Sequence, residues 1–125
     1  MIKMIGNSIE ISIVIPLYNK ENFIQRAIYS VLNQTYSHWE LIIVDDGSTD
    51  NSYDSAKSIN DNRIKIVQQE NQGVSAARNR GIELSNNDWV AFLDADDEWL
   101  PEFLETIVDL MERNPDCGLY ATGYK

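Results

Sequence analysis

Four consecutive residues, Asp94-Ala95-Asp96-Asp97, directly follow the apolar run Trp89-Val90-Ala91-Phe92-Leu93. The run reads as a buried strand, so several carboxylates gather at a strand end, where they repel one another and are costly to desolvate together. A hard divalent cation relieves that cost, because Mg²⁺ or Mn²⁺ prefers oxygen ligands and readily shares them with a phosphate. Asp96, with Asp94 beside the strand, is therefore expected to hold a metal ion and, through it, a phosphorylated ligand. A solvated loop before a helix accounts for Asp97 and Glu98, whose charge suits a helix N-terminus, but it accounts poorly for Asp94.

A second acidic corner, Asp45-Asp46-Gly47-Ser48, follows the apolar run Leu41-Ile42-Ile43-Val44. Gly47 permits a tight turn, and a carboxylate beside it can accept N–H groups from a base or sugar. Taken alone, the corner reads as a turn whose Asp and Ser cap the next helix; paired with the first corner on one sheet edge, it reads as part of a site. Arg78, on the first turns of a segment entered through Gly73, is placed to hold a diphosphate or to balance the acidic clusters. Arg80 reads as a surface residue paired with a carboxylate. Tyr18 and Asn19 can stack on and bond to a base, although ordinary turn and cap chemistry explains each separately. Lone His38 reads as a surface residue, and Trp39, Trp89 and Trp99 as core or lid residues, with Trp99 the one to test as a sugar platform.

The formal net charge of −10 over 125 residues excludes nucleic acid as the natural partner, which calls for a basic face. An anionic phosphate ligand must then meet a local cation: a metal, a particular Arg, or a helix N-terminus. The single cysteine, Cys117, forbids an internal disulfide, fits a reducing cytosol, and lacks a neighbouring base that would make it a nucleophile. The N-terminal residues carry no signal-peptide pattern, and no apolar run is long enough to span a bilayer.

Elements that would position these groups alternate along the chain. Strands are predicted at Ile11 to Ile15, ended by Pro16, at Leu41 to Val44, at Ile64 to Val67 and at Trp89 to Leu93. Helices are predicted from an Asn19 N-cap through Leu32, with Phe23, Ile24, Ala27, Ile28, Val31 and Leu32 on one face; from Ser48 or Asp50 through Ile59; from Val74 to Leu84; and from Pro101 onward. A fifth strand is expected to begin between Gly118 and Gly123. This order implies an α/β fold, an open, mostly parallel, Rossmann-like sheet with helices on both faces. Ligands bind such sheets beyond the C-terminal strand ends, where strand order reverses. Residues 16–20, 45–50 and 94–98 are expected to meet there.

Five stretches in this order resemble the family 2 glycosyltransferases of the GT-A fold. They are Ile13-Val14-Ile15-Pro16-Leu17-Tyr18-Asn19, Ser30-Val31-Leu32-Asn33-Gln34-Thr35, Glu40-Leu41-Ile42-Ile43-Val44-Asp45-Asp46-Gly47-Ser48, Gly73-Val74-Ser75-Ala76-Ala77-Arg78-Asn79 and Phe92-Leu93-Asp94-Ala95-Asp96-Asp97. Any one is weak, but five in sequence on the expected elements are specific. The resemblance implies a nucleotide-diphosphosugar donor, with Pro16 and Tyr18 lining the base pocket, Asn19 nearby, and Asp46 bonding the base with Asp45 as its neighbour. It further implies Arg78 near the phosphates, Asp94 and Ala95 among the donor contacts at the ribose or sugar, and Asp96, with Asp94, on Mg²⁺ or Mn²⁺. An inverting single displacement by an acceptor hydroxyl is implied, at the cytoplasmic side, in the synthesis of glycans or surface polysaccharides.

By the same resemblance the acceptor-binding half and the base carboxylate lie past Lys125. Residues 11–125 are thus expected to be a truncated donor-binding part after an N-terminal extension, residues 1–10, and no catalytic base is assigned. A glycan or lipid-linked acceptor, peripheral contact with the inner membrane face, and pairing of two chains are further expectations. The alternative is a non-catalytic nucleotide-sugar-binding or assembly module. A phosphoacceptor receiver domain is disfavoured because its acidic pair would follow the first strand, and a nucleotidylyltransferase because Pro16-Leu17-Tyr18-Asn19 is not a Gly-rich, Arg-bearing loop.

Overall fold

A computed structural model describes residues 9–114. The expected fifth strand and Cys117 lie outside the described residues. Four strands and four helices alternate: β1 (Ile11–Leu17), α1 (Ile24–Leu32), β2 (Trp39–Asp45), α2 (Ser52–Lys57), β3 (Ile64–Gln68), α3 (Val74–Leu84), β4 (Trp89–Phe92) and α4 (Phe103–Arg113). All pairings among the described strands are parallel, in the order β3-β2-β1-β4. The α/β sheet expected from the sequence is the fold found.

Alternation along β1 and β2 gives the sheet two faces. Ile11, Ile13, Ile15 and Leu17, with Leu41 and Ile43, pack against Ile24, Ala27, Ile28 and Val31 of α1, Ala56 of α2, and Leu104 and Val108 of α4. Ile42 and Val44 on the opposite face pack against Ala77 of α3. A right-handed crossover from β3 back past β2 and β1 to β4 carries its helix onto the face opposite α1 and α2, as handedness requires. Gly81 makes the close approach possible: a β-carbon there would stand 2.3 Å from Cγ1 of Val14.

Five sequence expectations are corrected. Pro16 does not end the first strand, which runs on to Leu17. The Val14 carbonyl accepts from Leu93 N on the β4 side, and the Leu17 carbonyl accepts from Asp46 N on the β2 side. Pro16 therefore turns its ring nitrogen toward β4, whose pairing with β1 has ended at Val14 and Phe92, and no rung is lost. Asn19 is not the N-cap of α1: it lies in a turn at φ 50°, and the helix starts at Ile24. Phe23 accordingly misses the buried face and is exposed, with the Arg26 guanidinium 5.5 Å from its ring centre. The fourth strand is an edge of the described sheet, only half-buried, and stops at Phe92, with Leu93 buried beyond it. Pro101 sits in the turn before α4 rather than in its first position.

A polar knot closes the strand starts. Glu40 accepts from Ser12 Oγ at 2.5 Å and from Asn86 N and Nδ2 at 2.7 and 2.9 Å. Burial pushes this carboxyl up, but the hydrogen bonds from Ser12 and Asn86, helped by Lys65, outweigh it and hold it below the usual glutamate value.

Candidate functional site

The order β3-β2-β1-β4 reverses direction between β1 and β4, which defines the crevice where open α/β sheets bind ligands. β1 follows β2 as far as Leu17 and Asp45, but follows β4 only to Val14 and Phe92, so β1 and β4 part just where the acidic loop begins.

On one side of the crevice the loops after β1 and β2 are knitted together. Asn19 Oδ1 accepts from Thr49 N at 2.8 Å and from Asp50 N at 3.3 Å, while Asn19 N donates to Ser48 Oγ at 2.9 Å. The positive φ of Asn19 aims the amide at that turn, a conformation Asn tolerates better than most residues. Lys20 N donates to Ser52 Oγ at 2.8 Å, and Asp50 accepts from Ser52 N at 2.9 Å and from Glu21 N at 3.3 Å. Slight burial raises the Asp50 carboxyl, but these bonds outweigh it and lower it below the ordinary aspartate value. Tyr18, just past β1, is exposed at the rim with its ring free to stack on a planar ligand.

The two carboxylates of the second corner have opposite surroundings. Asp46, 3% exposed, accepts from Gln69 Nε2 and Gln72 N at 2.9 Å on Oδ1, and from Asn71 Nδ2 at 3.1 Å and Gly73 N at 2.9 Å on Oδ2. Asp45 is 1% exposed, and neither of its oxygens has a hydrogen-bond partner among the described residues. By alternation it shares the face of Leu41 and Ile43.

Across the crevice, the acidic loop is met by cations from three elements. Arg78 of α3 reaches Asp94 at 3.4 Å, Lys20 reaches Asp96 at 3.4 Å, and Arg26 of α1 reaches Glu98 at 3.0 Å and the Asp96 carbonyl at 2.8 Å. The crowding of charge inferred from sequence is thus relieved within the chain, since the Asp94 and Asp96 side chains are 53% and 48% exposed rather than desolvated. The Ala95 methyl lies in the core, so Ala95 can meet a ligand only through its backbone. Trp99 is buried and stacked on Phe103 at 4.6 Å, so it is a core residue and not the sugar platform for which it was to be tested. Arg80 pairs with Glu83 at 3.7 Å and His38 is exposed, both as expected.

Asp94 and Asp96 fit a hard divalent cation. Both are accessible oxygen donors on one turn, closed by the 3.0 Å bond from Asp97 N to the Asp94 carbonyl. No group of three or more metal-ligating side chains occurs among the described residues, so the remaining positions would fall to phosphate oxygens and water, the usual arrangement for Mg²⁺.

Sequence reasoning missed the supports of this loop. Gln34 donates to the carbonyls of Ser30 and Leu100 at 3.0 and 2.7 Å and accepts from Leu104 N at 2.9 Å, and Ser30 Oγ accepts from Trp99 N at 3.1 Å. A buried glutamine at the end of an amphipathic helix was the available signal. Lys20, Arg26, Gln69 and Asn71 carried no comparable one.

Comparison with known proteins shows the family and the fold. The family model for glycosyl transferase family 2 matches residues 12–125, and the chain belongs to that family. It is 40% identical over 111 residues to the UDP-Glc:alpha-D-GlcNAc-diphosphoundecaprenol beta-1,3-glucosyltransferase WfgD of Escherichia coli, covering 88% of this chain and 44% of that protein. It is 41% identical over 130 residues to the uncharacterized glycosyltransferase YibD of Escherichia coli (strain K12), covering 96% of this chain and 38% of the relative. The chain thus spans less than half the length of these curated relatives. Among solved structures, the fold matches S. aureus TarS 1-349 in complex with UDP, at TM-score 0.79 and 23% identity over 90% of this chain and 38% of that one. It also matches the mannosyltransferase PcManGT from Pyrobaculum calidifontis in complex with GDP-Man and Mn²⁺, at TM-score 0.75 and 22% identity over 89% and 34%. No helix among the described residues is long and apolar enough to cross a membrane.

Proposed function

We propose that residues 11–125, after an extension of residues 1–10, carry the donor site of an inverting, metal-dependent glycosyltransferase that builds a glycan or surface polysaccharide. The observation that carries this reading is the convergence of Tyr18, Arg78, Asp94 and Asp96 on the crevice where β1 and β4 part. The base would lie by Pro16, Tyr18 and Asn19 against the Asp45–Asp46 corner. The diphosphate would lie by Arg78, and Asp94, the Ala95 backbone and Asp96 would face the ribose, sugar and cation. Mg²⁺ or Mn²⁺ on Asp96 and Asp94 would supply Lewis-acid stabilisation of the departing nucleoside diphosphate. Arg78 orients the diphosphate and balances its charge, while Tyr18 covers the base. In the transfer, an acceptor hydroxyl oxygen bonds to the anomeric carbon as the bond from that carbon to the phosphate oxygen breaks. The hydroxyl proton passes to a carboxylate that we do not place among residues 9–114.

The donor and acceptor named for WfgD support a uridine nucleotide donor and a lipid-linked acceptor as the classes to try first; meeting such an acceptor at the inner face of a membrane is part of the same proposal. Pairing of two chains to complete a site belongs to the same reading and is checked by sedimentation. Calorimetry of the chain with UDP and with GDP, with and without Mn²⁺, tests the proposal. Nucleotide binding should depend on the ion, and Asp96→Ala should abolish that dependence. Ion-independent binding, or a variant that binds as the unaltered chain does, would sink it.

A further inference from the structure

We infer that a row of polar side chains along α1, Arg26, Ser30 and Gln34, positions Asp96: the row grips the backbone of the acidic loop and so aims the carboxylate that a cation would use. The inference rests on the donor-site reading above and assigns that site its support. The three residues recur at i, i+4 and i+8, so they share one side of the helix and its exit turn. Against them lies the connection from β4 to α4, residues 93–102, which holds neither strand nor helix. Its backbone polar groups have no ladder to join and need partners elsewhere. Arg26 Nη2 donates to the Asp96 carbonyl at 2.8 Å, and Ser30 Oγ accepts from Trp99 N at 3.1 Å. Gln34 donates to the Leu100 carbonyl at 2.7 Å and accepts at 2.9 Å from Leu104 N, one of the first amides of α4, which that helix cannot satisfy itself.

The row runs from the core out to the crevice. Gln34 is buried at its inner end, where Thr35 N adds a 2.9 Å bond to the Pro101 carbonyl. Ala95 and Trp99, either side of Asp96 in the chain, are seated in the core. At the outer end the Arg26 and Asp96 side chains are both about half exposed, so packing does little to aim the carboxylate. The peptide joining Asp96 to Asp97 is planar, and a guanidinium on its carbonyl restrains the backbone from which the carboxylate leaves. Asp97 N closes the same turn on the Asp94 carbonyl at 3.0 Å. Glu98 Oε1, 3.0 Å from Arg26 Nε, balances the guanidinium charge. Two cations therefore meet Asp96 at different groups. Lys20 lies 3.4 Å from the carboxylate, where it competes with a bound ion, whereas Arg26 lies on the carbonyl, where it holds the ligand for one.

Two variants test this, with Mn²⁺ alone as the probe. Arg26→Met keeps the length of the stem and removes the donors. Ser30→Ala removes the acceptor of Trp99 N, changes no charge, and places a better helix former in α1. Affinity and line shape of the bound ion are read by electron paramagnetic resonance, and the loop by amide hydrogen exchange. Arg26→Met should weaken Mn²⁺ roughly tenfold, as loss of a group holding a metal ligand does, and should alter the line shape. Ser30→Ala should move the same way by less. In both variants the Asp97 amide should exchange several-fold faster, with Ile13 and Ile43 in the core unchanged. The sign is what discriminates: a guanidinium acting through its charge alone repels a divalent ion, so its removal would tighten binding. Tighter or unchanged Mn²⁺ binding by Arg26→Met, or an unchanged Asp97 exchange rate, would overturn the inference. Failure of the unaltered chain to bind Mn²⁺ at all would count against the donor-site reading instead, and exchange at Asp97, which needs no ion, would still decide whether the row holds the loop.

Discussion

The Lys20 ammonium lies 3.4 Å from Asp96 Oδ2, joining the loop after β1 to the loop after β4 across the mouth of the crevice. A cation bound at Asp96 has to share that carboxylate with Lys20 or displace it. The pair is about half exposed, so its intrinsic worth is only about 0–1 kcal/mol, but an ammonium beside an incoming divalent ion also repels it. Lys20→Met should therefore tighten binding of Mn²⁺ alone by roughly threefold to tenfold. Titration of the free ion by electron paramagnetic resonance reads this directly. An unchanged affinity would show that the ion and Lys20 do not share Asp96.

Arg78 is expected to matter for ligand and little for stability. Its contact with Asp94 is long and half-exposed, and its Nε is buried without a partner among the described residues. A buried N–H left unpaired is a cost to the fold, so removing the side chain relieves about as much as it forfeits. Arg78→Ala should leave the melting temperature within a few degrees, about the effect of 0.5 kcal/mol, and weaken UDP roughly tenfold or more. Arg78→Lys should recover only part of that loss, because an ammonium keeps the charge and loses the planar fork. Equal binding by the Lys variant and the unaltered chain would mean that charge alone is used. Calorimetric titration and thermal melts on the same samples separate the two effects.

Gly81 is the position where a helix-favouring change should harm the protein. Alanine gains about 1 kcal/mol of helix propensity over glycine. Its β-carbon, however, would stand 2.3 Å from Cγ1 and 2.8 Å from Cγ2 of Val14, a fully buried side chain in a central strand. Overpacking of this kind costs about 1–3 kcal/mol or more, so Gly81→Ala should lower stability despite the propensity gain. Val14→Ala should partly rescue it, giving a favourable coupling in a double-mutant cycle by urea denaturation. Additive losses would place the strain elsewhere.

The sheet was legible because β1 and β2 are buried on both faces, and continuous apolar runs follow directly from that. The helix α1 was legible from the spacing of Ile24, Ala27, Ile28 and Val31, all of which are buried. What misled was local chemistry whose meaning depends on neighbours far along the chain. Pro16 looks like a strand end until β4 is seen to leave its side of β1. Asn19 has the composition of a cap, but its partners, Thr49 and Asp50, are thirty residues away. Asp94 and Asp96 announced a charged strand end correctly. That they are half-exposed and countered by Arg78 and Lys20 needed the positions of α3 and of the first loop. Of Asp45 and Asp46, composition alone shows two adjacent carboxylates; the loop 69–73 saturates Asp46, while Asp45 has no partner among the described residues.

The knot around Glu40 should make stability depend on pH far from the crevice. Its carboxyl is pushed up by burial and pulled down further by Ser12, Asn86 and Lys65, so its folded value lies below the ordinary one. A depressed carboxylate contributes stability that is fully present above the unfolded-state value and is lost as pH falls through the folded value. Glu40→Gln keeps the size but removes the charge and offers an NH₂ to donors that need an acceptor. It should cost about 1–2 kcal/mol at neutral pH. Protonation removes the same charge from the unaltered protein, so the gap between the two should shrink steadily on the acid side of the ordinary glutamate value. Asn87 Nδ2 donates to Ser12 Oγ at 3.2 Å, which keeps the hydroxyl proton turned toward Glu40 and lets Asn87→Ala give a weaker form of the same effect. Urea denaturation of the three proteins between pH 3 and pH 7 measures this. A gap of constant size across that range would mean that shape, not charge, is what Glu40 supplies to the knot.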